Sequence, residues 1–197
     1  MTEIEIRGLL NKKEAKKLKD FLDKKARFEK SFKRLSVEIS PGFDPLSRSW
    51  SENRLNLRIK KSNQEEKISL KVGEESFSKL EEHEVILSPG QFVPTLQIFS
   101  NLGFDQGMIY FWESWVYEYL GVEIKISRYT EEEFMWEIEA RGELGGKALE
   151  KINNIAQKLK LRPLNFEEFL VEVKRQNLEI FELFSLKRVE ELLVQHY

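Results

Sequence analysis

The N-terminal segment Thr2-Glu3-Ile4-Glu5-Ile6-Arg7-Gly8 alternates charged and apolar residues without a break. A strand turns successive side chains to opposite faces, so Glu3, Glu5 and Arg7 share one face and Ile4 and Ile6 the other. Two carboxylates about 7 Å apart on such a face repel by roughly 2 kcal/mol at an effective dielectric near 20, unless a cation or water intervenes. A single row of this kind reads as the wet side of a half-buried strand. The constraint on the fold comes from its repetition in later strands, each with its own sign of charge.

Arg54-Leu55-Asn56-Leu57-Arg58-Ile59-Lys60 sets Arg54, Asn56, Arg58 and Lys60 against Leu55, Leu57 and Ile59. After a turn at Lys61-Ser62-Asn63-Gln64, the run Lys67 to Val72 aligns Lys67, Ser69 and Lys71, which predicts a basic hairpin. Glu82-His83-Glu84-Val85-Ile86-Leu87 returns to acid, with Glu82 and Glu84 on one side. Val122 to Arg128 alternates Glu123, Lys125 and Ser127 with Val122, Ile124 and Ile126. Phe134 to Glu139 sets Glu137 and Glu139 opposite Trp136 and Ile138. Two further strands are expected: one from Phe28 or Phe32 to Ile39, and an aromatic one from Met108 to Tyr119 that turns at Gly121. Ser40 to Asn53, with Pro41, Gly42 and Pro45, reads as a loop, and the first strand as ending at Gly8.

Helices fall between and after the strands. Asn11 is placed to cap a helix over Lys12 to roughly Ala26, with Ala15, Leu18, Phe21 and Leu22 at helical spacing. Its lysines are interrupted by Glu14, Asp20 and Asp23, which makes them a solvated face and not a nucleic-acid patch. A short helix over Gln91 to Asn101 is closed by Gly103, and Lys147 to Lys160 is amphipathic. Asn165 and Glu168 form a capping-box pattern for a further helix. Helical spacing then runs to the terminus with a break near Ser185.

Composition narrows the chemistry. A net charge of −2 supplies no bulk field for nucleic acid or a membrane surface, so neither partner is expected, and any attraction for an anion must be local. The absence of cysteine removes disulfides, thiolate metal sites and thiol nucleophiles. No apolar run reaches transmembrane length and the chain opens on a charged strand, so a cytoplasmic protein, monomer or homodimer, is expected. His83, on the apolar side of its strand, is expected to be packed. Trp112, Trp115, Tyr117 and Tyr119 are expected as core or sheet wall.

Acids thus occupy the polar side of three segments (Glu3/Glu5, Glu82/Glu84, Glu137/Glu139) and bases that of two (Arg54/Arg58/Lys60, Lys67/Lys71). If the sheet closes with these residues inside, carboxylates gather on one wall and cations on another. Crowded carboxylates protonate or collect a cation. Oxygen-only ligands favour a hard ion, Mg²⁺ or Mn²⁺. A polyphosphate suits both walls.

At this point Glu3-Ile4-Glu5-Ile6-Arg7 resembles the ExExK signature of the CYTH superfamily, the triphosphate tunnel metalloenzymes. Leu57-Arg58-Ile59-Lys60 and Ser69-Leu70-Lys71 resemble its basic strands, and Glu82-His83-Glu84 its central acidic strand. Leu102-Gly103-Phe104 resembles the turn after its middle helix, and Trp136-Glu137-Ile138-Glu139 its closing strand. The resemblance implies an α+β fold: an antiparallel β-barrel (tunnel) of about eight strands with helices packed outside. It covers residues 1–162, which leaves 163–197 as a C-terminal helical extension packed on the barrel.

The same resemblance implies a divalent-metal-dependent triphosphatase acting on a triphosphate-containing small molecule. Glu3, Glu5 and Arg7 would be catalytic, and Arg7, Arg58, Lys60, Lys71 and Lys125 would bind phosphate. Glu3, Glu5, Glu84, Glu137 and Glu139 would hold Mg²⁺ or Mn²⁺. Three positions depart from the family. Arg7 replaces a lysine, the stretch Tyr110 to Trp115 lacks the usual Lys and Arg, and Ser127 stands where an inward Asp is usual. The alternative is therefore a non-catalytic polyphosphate or nucleotide-phosphate binding module on the same fold. A third reading leaves the charged faces as ordinary solvent surface.

Overall fold

A computed structural model describes residues 4–50, 55–72, 81–140 and 146–197. The N-terminal alternation becomes β1 (Ile4–Asn11), which runs three residues past the expected end at Gly8. That glycine is required for a different reason: a Cβ there would lie 2.4 Å from the Arg162 carbonyl oxygen and 2.7 Å from Trp136 Nε1. Asn11 then caps α1 (Lys12–Lys25). Its side chain accepts from the Glu14 N–H and Glu14 reaches back to the Asn11 N–H, a complete capping box.

The strands that follow are β2 (Arg27–Glu38), β5 (Leu55–Ser62), β6 (Glu65–Val72), β7 (Glu81–Leu87), β8 (Met108–Tyr119), β9 (Val122–Arg128) and β10 (Glu133–Ala140). The loop expected after residue 39 contains two short strands, β3 (Phe43–Asp44) and β4 (Ser49–Trp50), joined by a tilted Phe43–Trp50 contact at 4.8 Å. Helix α2 (Phe92–Asn101) precedes β8, and α3 (Gly146–Lys158) follows β10. Asn165 and Glu168 form the expected capping box of α4 (Phe166–Glu179). The expected break holds β11 (Glu182–Leu183), and Ser185 caps α5 (Leu186–His196) by accepting from the Arg188 N–H.

The strands hydrogen-bond in the order β1-β10-β9-β8-β2-β5-β6-β7, with β11 added to β8. Every ladder of known register is antiparallel. This is the α+β architecture expected from the sequence, with eight strands on the main path. The β5–β6 hairpin closes through Asn63 at φ 52°, within the expected turn, which is shortened because β5 extends to Ser62.

The chain forms two compact units, residues 2–32 with 112–171 and residues 33–111 with 172–197. In the first, α1 and α3 cover one face of β1, β10, β9 and β8, burying Leu22, Tyr117, Ile124, Ile126, Trp136, Ile138 and Ile152. In the second, Leu35, Val37, Ile59, Phe92, Leu96, Val189 and Leu192 form the core of β2 and β5 with α2 and α5. Residues 163–197 contribute to both units. His83 is exposed where packing was expected; among the described residues its strand, β7, is the last in the strand order. Among the described residues no helix is long and apolar enough to cross a membrane.

Candidate functional site

Residues opposite one another on antiparallel strands point to the same side, so the register defines each face. In the first unit Glu5 faces Glu139, which faces Glu123; Arg7 faces Glu137, which faces Lys125. The apolar alternates Ile6, Ile138 and Ile124 fill the core on the other side. These four carboxylates therefore share a face with two cations, and Glu118, opposite Glu123, lies on it as well. Arg7 is ion-paired with Glu5 and Lys125 with Glu137, and the Arg7 guanidinium lies 4.6 Å over the Phe169 ring. Glu3 lies outside the described residues.

Between these charges and Glu133, which lies opposite Asn11, the face is neutral. Met135 faces Ser127, and Ser127 faces Ser114. The two hydroxyls are buried and 2.8 Å apart in a hydrogen bond. The family resemblance led to an acid on β9 and cations on β8; this chain has a neutral hydrogen-bonded pair in direct cross-strand contact. Trp115, Tyr117 and Tyr119 lie on the core side as expected. Trp112 pairs edge-on with Tyr129 at 6.3 Å.

The second unit carries the cations. Ser36 faces Lys60, and Lys60 faces Lys67; Glu38 faces Arg58, and Arg58 faces Ser69; Lys71 faces Glu82. Arg58 donates to Glu38 at 2.7 Å and lies 5.4 Å over the Tyr110 ring. Glu38 is 4% exposed, and the Ser40 hydroxyl between it and the Leu57 N–H locks the strand pair behind it. Burial, together with the Glu38 charge, pushes the Tyr110 phenol well above its usual range. Glu84 belongs to this basic ladder, accepting from Lys67 at 2.9 Å and lying 3.8 Å from Lys60.

Lys60 is the most desolvated of these cations, at 9% exposure. Burial, then the positive charges of Arg58, Lys67 and Arg34, bring its ammonium down to about 8 in spite of Glu82. Burial also lowers the Arg34 guanidinium, whose Nε donates to Ser62 Oγ at 2.8 Å. Burial works against the ionised Glu82 carboxyl, yet Lys71, the Ser69 hydroxyl and Lys60 hold it below the usual range. Arg34 and Glu38 were not singled out from sequence, although alternation within their strand put them on the polar side; Lys67 was placed in the basic row but not among the phosphate-binding residues.

The carboxylates of the first unit offer oxygen donors only, a chemistry that fits Mg²⁺ or Mn²⁺. As arranged, Glu5 and Glu137 turn to their cations, and among the described residues no three His, Asp or Glu side chains converge to hold a metal.

No protein-family profile matches the chain, and no curated protein matches it in sequence. Solved structures do match its fold. The PH1012 protein of Pyrococcus horikoshii OT3 aligns over 84% of this chain and 93% of its own, with a TM-score of 0.62 at 18% identity. A candidate adenylate cyclase of Bacillus halodurans, bh2851, aligns over 83% and 92%, with a TM-score of 0.53 at 16% identity. HpAC1 of Hippeastrum, whose reported dominant activity is that of a triphosphatase, aligns over 82% and 89%, with a TM-score of 0.50 at 17% identity. At these identities the likeness establishes the fold, and the fold is the CYTH-like one that the motifs resemble.

Proposed function

We propose that the chain binds the triphosphate of a small molecule and hydrolyses its terminal phosphoanhydride with the help of a divalent metal. The observation that carries this reading is Lys60, a buried ammonium with three of its principal charged neighbours also cationic. Burying a charge is costly, and although Lys60 lies 3.7 Å from Glu82 and 3.8 Å from Glu84, Arg58, Lys67 and Arg34 crowd it with like charge on the polar face of the sheet. An anion of high charge density relieves that cost. Arg58, held by Glu38, would give such an anion a planar fork, and Lys60 and Lys71 would act as point charges.

In the acidic unit Glu5, Glu137 and Glu139, with Glu3, would hold Mg²⁺ or Mn²⁺. The bound ion would polarise a phosphoryl oxygen and lower the pKa of a coordinated water. Metal binding would require Glu5 and Glu137 to leave Arg7 and Lys125, and would release both cations for phosphate oxygens. Arg7 and Lys125 would then take up charge that develops on the transferring group. Glu84, within the basic ladder, would orient Lys60 and Lys67 if it does not reach a metal. The triphosphatase activity of a structural neighbour supports this choice of substrate.

A second reading keeps the binding and drops the turnover. The Ser114–Ser127 pair favours it, because it leaves neutral hydroxyls where charged groups were expected. Phosphate release from tripolyphosphate with Mg²⁺ or Mn²⁺, compared with Glu137→Gln, decides between them. Release that depends on metal and Glu137 supports hydrolysis; metal-dependent binding without release selects the binding module. Neither would leave the charged faces without a ligand.

A further inference from the structure

The side chain of Ser36 is fully buried, and among the described residues its hydroxyl has no hydrogen-bond partner. Buried polar groups are almost always paired, so an orphaned hydroxyl in a strand needs an explanation. Apolar residues could fill this position at lower cost, as Leu35 and Val37 do on the other side of the strand. Register puts Ser36 directly opposite Lys60, between Arg34 and Glu38 on the polar side of β2. Lys60 is in turn opposite Lys67. The orphan donor thus stands in the row of greatest positive charge in this unit.

We propose that Ser36 and Arg34 complete a phosphoryl-binding subsite around Lys60, the Ser36 hydroxyl donating to an oxygen of the bound phosphate chain. This rests on the phosphate-binding reading above and adds two residues of β2 to it. A phosphoryl group drawn toward Lys60 meets a hydroxyl one cross-strand spacing away, about 5 Å between Cβ atoms. Arg34, fixed through its Nε on Ser62, flanks the same position. The neutral donor adds direction to a cluster of cations without adding to their mutual repulsion.

The test uses the full chain, inorganic tripolyphosphate as probe, isothermal titration for affinity and thermal melting of the free protein. Ser36→Ala should bind tripolyphosphate about tenfold more weakly, since a hydrogen bond to a charged acceptor is lost. The same variant should melt about 2 °C higher when free, because an unpaired buried hydroxyl has been removed. A hydroxyl with a purely structural role would not raise the melting point on removal. Arg34→Gln should also weaken binding about tenfold and reduce its salt dependence. Ser36→Ala and Arg34→Gln that both bind like the wild type would overturn the inference and leave the phosphate reading intact. Wild-type protein that fails to bind tripolyphosphate would overturn both.

Discussion

The two units use one sheet design with opposite charge. Each buries an apolar face under a pair of helices and keeps ionised side chains on the other face. On β1, β10 and β9 the face is mainly glutamate, tempered by Arg7 and Lys125; on β5 and β6 it is mainly Arg and Lys, tempered by Glu38, Glu82 and Glu84. The minority charges differ in what they hold. Arg7 and Lys125 pair with the carboxylates proposed to bind metal, Glu82 and Glu84 lie against Lys60, Lys67 and Lys71, and Glu38 holds from behind Arg58, the arginine proposed to bind phosphate. On both faces the minority charges already hold the majority ones; Glu38 is set apart by its burial, which fixes Arg58 from behind.

The contrast can be broken at several depths. Glu137→Gln should lower metal-dependent phosphate release about a hundredfold or more while tripolyphosphate binding persists, measured by single-turnover release beside titration. Lys60→Ala should instead raise KM about tenfold with a smaller loss in kcat. A kcat effect from Lys60 as large as that from Glu137 would erase the division of labour.

A subtler comparison comes from pH. Lys60 titrates near 8 in the folded chain, against 10.5 for an unburied lysine. Tripolyphosphate affinity should fall as pH rises through about 8, as this ammonium loses its charge. Stability should move the other way. Between about 8 and 10.5 the unfolded chain holds the proton that the folded one has released, so stability rises with pH across that window. Lys60→Met should flatten both trends, read by titration and chemical denaturation at several pH values.

The smallest effects are at the helix caps, one in each unit. Asn11→Ala removes both halves of a capping box and should cost about 1 kcal/mol, and Ser185→Ala somewhat less because its cap is a single bond. Denaturant midpoints with unchanged slopes would check both.

Much of this was legible in the sequence because alternation is a local signal. β8 and β9 begin and end where their residues suggest, Asn11 and Asn165 mark helix starts by the amide that a cap needs, and the break near Ser185 falls where α5 begins. Features set by distant contacts were not legible. Gly8 reads as a strand end, yet it lies within a strand because Arg162 and Trp136 crowd it. β3 and β4 are too short to show a period. His83 alternates like a packed residue, but it is exposed on β7, the last strand in the order among the described residues. Sequence placed the site residues on faces; it did not reveal that Ser114 meets Ser127, that Glu5 and Glu137 already hold cations, or that Ser36 lacks a partner among the described residues.

The central claim is that charge turned to one side of each half-sheet awaits a phosphate-rich anion. Titration of the wild-type chain with tripolyphosphate at neutral pH, with and without Mg²⁺, tests it most directly. Saturable binding that weakens with added salt and tightens with Mg²⁺ is the expected result. A flat titration into the millimolar range under both conditions would contradict it.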